Sequence, residues 1–168
     1  MPLFSRSIDI EVEEEGEGLR IKGKLSDRRS GEDLHGIEAE MLVTVWDGEI
    51  KAISGSMPAS PMQECAQGLE SLQALTGISI KPGFSDVVKN TVGSNRGCSH
   101  LAALVMNMGN VSVQGRGAYL RKHIEDEKEA RSAIAETGKE LGLIDSCVCW
   151  REDGPIMRRW REREQQGE

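Results

Sequence analysis

Residues 8–25 read IDIEVEEEGEGLRIKGKL, and this stretch decides the fold. At its start Ile8, Ile10 and Val12 alternate with Asp9, Glu11 and Glu13; at its end Leu19, Ile21 and Leu25 alternate with Arg20, Lys22 and Lys24. Successive side chains of a strand point to opposite faces, so each half presents one apolar and one charged face. Glu15-Gly16-Glu17-Gly18 supplies the turn, and the whole reads as a β-hairpin. One charged face is acidic and the other basic, an arrangement that favours cross-strand ion pairs. The acidic run is therefore read as a solvated strand face.

Outward from this hairpin, residues 26–34 (SDRRSGEDL) read as a polar loop. Ile37, Ala39, Met41, Val43 and Val45 then alternate with Glu38, Glu40 and Thr44, and Asp47-Gly48 turns the chain into a fourth strand near Glu49–Ser54. Ser60, Pro61 and Gln63 form a helix-start signature, with a Ser-x-x-Gln capping box and proline at the first helical position. A helix is expected over 61–76, its apolar stripe made by Met62, Cys65, Ala66, Leu69 and Leu72, and Gly77 as its stop. A short helix with Phe84, Val87 and Val88 follows. A third starts near Cys98, buries Leu101, Leu104, Val105 and Met108, and weakens beyond Gly109. Residues 119–141 predict an exposed helix, Leu143–Trp150 a late strand, and Asp153-Gly154-Pro155 a turn. The expected architecture is α+β: an antiparallel sheet of four or five strands from two hairpins, packed under three or four helices on one face. A single domain over 1–168 is expected, with 161–168 a frayed tail.

The chain's 168 residues suit one domain of roughly 100–200 residues. Its net charge of −7 opposes binding to phosphate backbones and anionic bilayers, so neither nucleic acid nor membrane is an expected partner. No apolar run approaches the roughly 20 residues that span a bilayer. The N-terminus MPLFSRSIDIEVEEE lacks the pattern of a signal peptide, and a cytoplasmic location is expected. Four cysteines in such a chain are read as reduced thiols, open to packing, metal ligation or reactivity. There is no nucleotide-binding G-x-G-x-x-G after a strand, no phosphate loop and no G-x-S-x-G elbow, so no cofactor-binding or catalytic residue is assigned.

The segment Gly93-Ser94-Asn95-Arg96-Gly97-Cys98-Ser99-His100-Leu101 is the most suggestive for chemistry. A glycine-flanked loop feeds a helix start, where free N–H groups favour negative charge and would stabilise a thiolate at Cys98. Side chains two apart on a helix diverge by about 200°. Cys98 and His100 can therefore share one ion only if Cys98 lies outside the helix. Cys65 sits in the second turn of its helix, and Cys147-Val148-Cys149 would place both sulfurs on one face of a strand. His35 opens the third strand, and His123 lies on the charged helix. Each cysteine also has a plain reading as a small core residue.

The order Gly23-x-Leu25-x-Asp27, His35 before a long strand, Pro61-x-x-x-Cys65 and Gly97-Cys98-Ser99-His100-Leu101 resembles a bacterial domain family of unknown function marked by Gly-Cys-[Thr/Ser]-His-Leu. The resemblance extends to Cys147 and the Asp-Gly-Pro turn, and implies no activity. The chain is more distantly similar to iron–sulfur scaffolds of the NifU and IscU type, which also run from an antiparallel sheet into helices with cysteines at loop–helix junctions. This chain departs from them in having no early-strand cysteine, only Asp27 or His35 there, and no adjacent His-Cys pair.

Three functions compete. The first is a metal-binding protein holding zinc or iron through Cys65, Cys98 and His100, with Cys147 or His35 as fourth ligand. The second is a non-catalytic accessory protein with structural cysteines and a protein partner. The third is a thiol enzyme or redox sensor using Cys98, for which the sequence identifies no orienting acid.

Overall fold

The computed structural model describes residues 1–166. The chain divides into two compact units, Met1–Arg116 and the remainder from Gly117. The first unit opens with strands β1 (Phe4–Glu15), β2 (Gly18–Arg29), β3 (Glu32–Thr44) and β4 (Ile50–Ala59). They form one antiparallel meander in the order β1-β2-β3-β4. A 3₁₀ helix (Gln63–Leu75), α1 (Phe84–Thr91) and α2 (Ser99–His123) follow, the last crossing the boundary between the units. The second unit contains α3 (Glu127–Glu140) and α4 (Pro155–Gln166). The fold is α+β, as the alternating strands and later helical stripes predict.

Leu19, Ile21 and Leu25 of β2 and Ile37, Met41 and Val43 of β3 are all buried on the sheet's inner face. Helix α2 covers that face: a Cβ at Gly23 would meet Met108 Sδ at 2.7 Å. On the outer face Lys22 pairs with Glu13 at 2.7 Å and Lys24 with Glu38 at 3.1 Å, the cross-strand pairs expected from alternating charge. These pairs are exposed, where a single ion pair contributes well under about 1 kcal/mol. The inner face therefore carries the stability.

The polar stretch 26–34 is not a loop. β2 and β3 run through it and turn at Ser30 and Gly31, whose φ values of 52° and 87° are those of a primed two-residue turn. Polar composition misleads here because the outer face and tip are solvated, while Asp27 faces inward. The helix expected over 61–76 is a 3₁₀ helix without the expected cap: Met62 precedes it with no side-chain cap, and Ser60 Oγ donates to Met62 O at 2.9 Å. Its buried and half-buried positions fall in two rows spaced by three, Cys65–Gly68–Ser71 and Leu69–Leu72–Leu75, which is the 3₁₀ repeat.

α2 continues past Gly109 because glycine there and at 115 serves close packing. A Cβ would lie 2.5 Å from the Phe84 ring in one case and 2.6 Å from Val12 in the other. Buried Arg116 donates to the carbonyls of Val45 and Trp46, tying α2 to the β3–β4 turn.

In the second unit the exposed helix expected over 119–141 is interrupted. Asp126 caps a separate α3 by accepting from Glu129 N at 2.8 Å. Leu143–Trp150 is not a strand but a series of turns. Asp145 sits at φ 62°, Ser146 N donates to Leu143 O, and Trp150 N donates to Cys147 O. Trp150 and Trp160 pack edge to face at 5.2 Å. Residues 161–166 of the expected frayed tail belong to α4, and 167–168 lie outside the described residues.

Candidate metal centre

The long β2–β3 hairpin sets Asp27 directly opposite His35. A register shift follows between Asp27 and Arg28, where the tip begins. Asp27 stands on the inner face in line with Leu19, Ile21, Gly23 and Leu25, and is fully buried. A buried carboxylate requires partners. Arg6 on β1 supplies a fork, donating Nε to Oδ1 at 2.6 Å and Nη2 to Oδ2 at 2.8 Å. His35 Nδ1 lies 3.0 Å from Oδ2.

The second histidine comes from α2. Cys98 N donates to Val92 O at 2.7 Å, and α2 begins at Ser99, so Cys98 stands just outside the helix. His100 projects from the first turn and stacks on His35 with ring centroids 4.0 Å apart. Its Nε2 lies 3.8 Å from Asp27 Oδ2, and its Nδ1 faces Cys98 Sγ at 3.7 Å. One donor atom each from Asp27, His35 and His100 falls within a 4.8 Å cluster, the arrangement of a candidate metal-binding group.

The charges fit one another. Asp27 is held below the usual carboxylate range, chiefly by the Arg6 hydrogen bonds, with His35 and His100 assisting against the opposing effect of burial. His100 is pushed down, first by its own burial and then by neighbouring His35 and Arg6, with Asp27 opposing. A neutral His100 keeps a nitrogen lone pair for a cation or a proton.

Of the residues singled out in the sequence, His35 and His100 meet, and Cys98 touches His100. Cys65 is half-buried in the row that leads to Gly68, where a Cβ would lie 3.2 Å from Cys98 Cβ; Cys65 is not in the donor cluster. Cys147 and Cys149 are exposed among the turns of the second unit, so the shared strand face expected for their sulfurs does not exist. Arg6 is the residue that sequence reasoning did not place at a site, and Asp27 entered it only through the family order and as an early-strand residue where the scaffolds have a cysteine, not among the metal ligands. The signal for Asp27 was available: it continues the buried row of β2 as its one acidic member.

The first unit defines the class of protein. Residues 4–114 match the model of a family described as a protein of unknown function, DUF2889, and the chain belongs to that family. The match ends before Cys147 and the Asp153-Gly154-Pro155 turn, while Arg6, Asp27, His35, Cys98 and His100 lie within it. No curated protein and no solved structure matches the chain, so the likeness to iron–sulfur scaffolds rests on residue order alone. Among the described residues no helix is long and apolar enough to cross a membrane.

Proposed function

We propose that this protein binds a zinc or ferrous ion through Asp27 Oδ2, His35 Nδ1 and His100 Nε2. The observation that carries the reading is the 4.8 Å clustering of one carboxylate and two imidazole donors from three separate parts of the chain. Donors around one ion with bonds of about 2.0–2.2 Å stand about 3.0–3.5 Å apart. The separations of 3.0 and 3.8 Å to Asp27 bracket that range, and the donors, all within 4.8 Å of one another, would draw together around the ion. Two histidines and one carboxylate suit zinc or iron better than magnesium or calcium. Three protein ligands leave positions open for water or substrate, and an ion held this way polarises a bound oxygen.

Cys98 then acts from outside the ion, accepting a hydrogen bond from His100 Nδ1–H and fixing the tautomer that leaves Nε2 to ligate. Cys65 and Cys147 have no part in this set. Metal analysis of protein purified without a histidine tag is the test. About one equivalent of zinc or iron is expected, lost in Asp27→Ala and in His35→Ala. Metal-free wild type, with no thermal shift on adding Zn²⁺ or Fe²⁺, would return the protein to the accessory reading.

A second reading is favoured by one observation: Cys98 Sγ, His100 and Asp27 run in series, at 3.7 and 3.8 Å. That is a nucleophile, a base and an orienting acid, the last being what the sequence did not reveal. Here Cys98 would pass its proton to His100 Nδ1. Alkylation of Cys98 slowed by Asp27→Asn in rigorously metal-free protein supports this thiol reading; an unchanged rate removes it.

A further inference from the structure

We infer that the centre takes a small carboxylate as its ligand, held by the ion on one oxygen and by Arg6 on the other. This rests on the metal-binding reading above and assigns Arg6 a role beyond its pairing with Asp27.

A guanidinium carries five N–H donors, and Asp27 accepts two of them. Asp27 is its polar partner among the described residues, so three donors remain for a ligand. Arg6 is also the most accessible member of the group. Its side chain is 35% exposed, against 31% for His100, 15% for His35 and 0% for Asp27. A ligand approaching from solvent therefore meets Arg6 and His100 first.

The ion need not displace Arg6. It would enter between Asp27 Oδ2 and His35 Nδ1, using the lone pair of Oδ2 that now faces His35. Arg6 Nη2 lies 2.8 Å from that same oxygen. With a metal–oxygen bond of about 2.1 Å, the ion and Nη2 then lie no more than about 5 Å apart. One carboxylate spans that gap, with one oxygen on the ion and the other accepting from Nη2–H. Charge points the same way. A divalent ion with one carboxylate and two neutral imidazoles retains one positive charge, and Arg6 adds a second. Arginine is the side chain suited to holding a planar carboxylate beside a metal.

The experiment loads the full chain with Co²⁺ as a spectroscopic probe and titrates it with acetate, with inorganic phosphate run in parallel. Wild type is expected to take up Co²⁺ and to change its visible absorption on adding acetate. Arg6→Met should still bind Co²⁺ but weaken acetate by about tenfold or more, the loss of a charged hydrogen-bond donor. Arg6→Lys, which keeps the charge and loses the fork, should fall between and carries the test if the methionine variant does not fold. Equal acetate affinity in wild type and variants overturns the inference while leaving the metal centre standing. Phosphate binding more tightly than acetate overturns the carboxylate assignment. Failure of wild type to take up Co²⁺ removes the metal centre itself, and this inference with it.

Discussion

Residues 26–36 and residues 143–154 form an instructive pair. The first is polar but for Leu34 and becomes strand around a tight turn at Ser30 and Gly31; the second carries Leu143, Ile144, Val148 and Trp150 and becomes turns. The difference lies in partners. The 26–36 segment extends a hairpin whose register is already set by the buried rows of β2 and β3, so its strand residues find backbone partners, with Leu34 bulged out at the shift after Asp27. The 143–154 segment pairs with no strand among the described residues, and Asp145 and Gly142, at φ 62° and 65°, help close its backbone groups locally. Each region carries residues that look like ligands, but only the hairpin holds them in register opposite one another.

Removing the acid in each region breaks the comparison most directly. Asp27→Ala leaves Arg6 without its fork and His35 without its acceptor, and should cost about 2–4 kcal/mol, since an uncompensated charge is left half-buried. Asp145→Ala removes only an exposed side-chain acceptor for Glu152 N and a favourable left-handed residue, about 1 kcal/mol or less. Urea denaturation measures both, and equal losses would show that the hairpin site is no more tightly built than the turns.

Changing the hairpin tip sharpens the same contrast. Gly31 at φ 87° accommodates a β-branched side chain only under strain, so Gly31→Val should cost about 1–3 kcal/mol and lower metal content by disturbing the register of Asp27 and His35. A variant of wild-type stability and metal content would mean that the tip does not set the register.

Mild acidification, above the carboxylate range in which Glu15, Asp47 and Asp153 also lose their contributions, probes the hairpin site. Because His100 is depressed, the unfolded chain takes up its proton first as pH falls through about 6.5. The stability this histidine contributes is therefore present above that pH and lost towards its lower folded value. Asp27 is depressed too, so its contribution holds above the ordinary carboxylate range and is lost only below about pH 4. The groups facing His100 are Arg6, His35, Asp27 and Cys98. Denaturation midpoints from pH 8 to 4 should fall, and His100→Gln should remove the upper part of the fall. A midpoint that rises between pH 8 and 6 contradicts the geometry.

The smallest effect belongs to the turn region. Cys147→Ser should change stability by no more than about 0.5 kcal/mol and leave metal content untouched, because the side chain is exposed. Alkylation followed by mass spectrometry should label Cys147 and Cys149 before the half-buried Cys65 and Cys98. Metal lost from Cys147→Ser would bring that thiol back as a ligand.

The legible parts of this protein were those encoded over a few residues. Alternation at 8–12, 19–25 and 37–45, the glycine turns and the apolar stripe of Leu101, Leu104, Val105 and Met108 all predicted the elements that form. His35, Cys98 and His100 stood out for the same reason, because residue type and a nearby loop–helix junction are local features. Asp27 stood out only within the Gly-x-Leu-x-Asp order and not as a ligand, since its polarity placed it in a loop, whereas pairing with β3 sets it facing inward. Arg6, one exposed-looking cation on a charged strand, did not stand out. The 3₁₀ winding of 63–75 also escaped, because Cys65, Leu69 and Leu72 stand four and three residues apart and make an acceptable α-helical stripe as well. By itself the sequence determined which segments alternate, which turn and which carry a helical face. Only the tertiary structure decided that residues from β1, β2, β3 and α2 share one buried carboxylate. That outcome depends on strand register and on where a helix crosses the sheet, and both are set by partners distant in the chain.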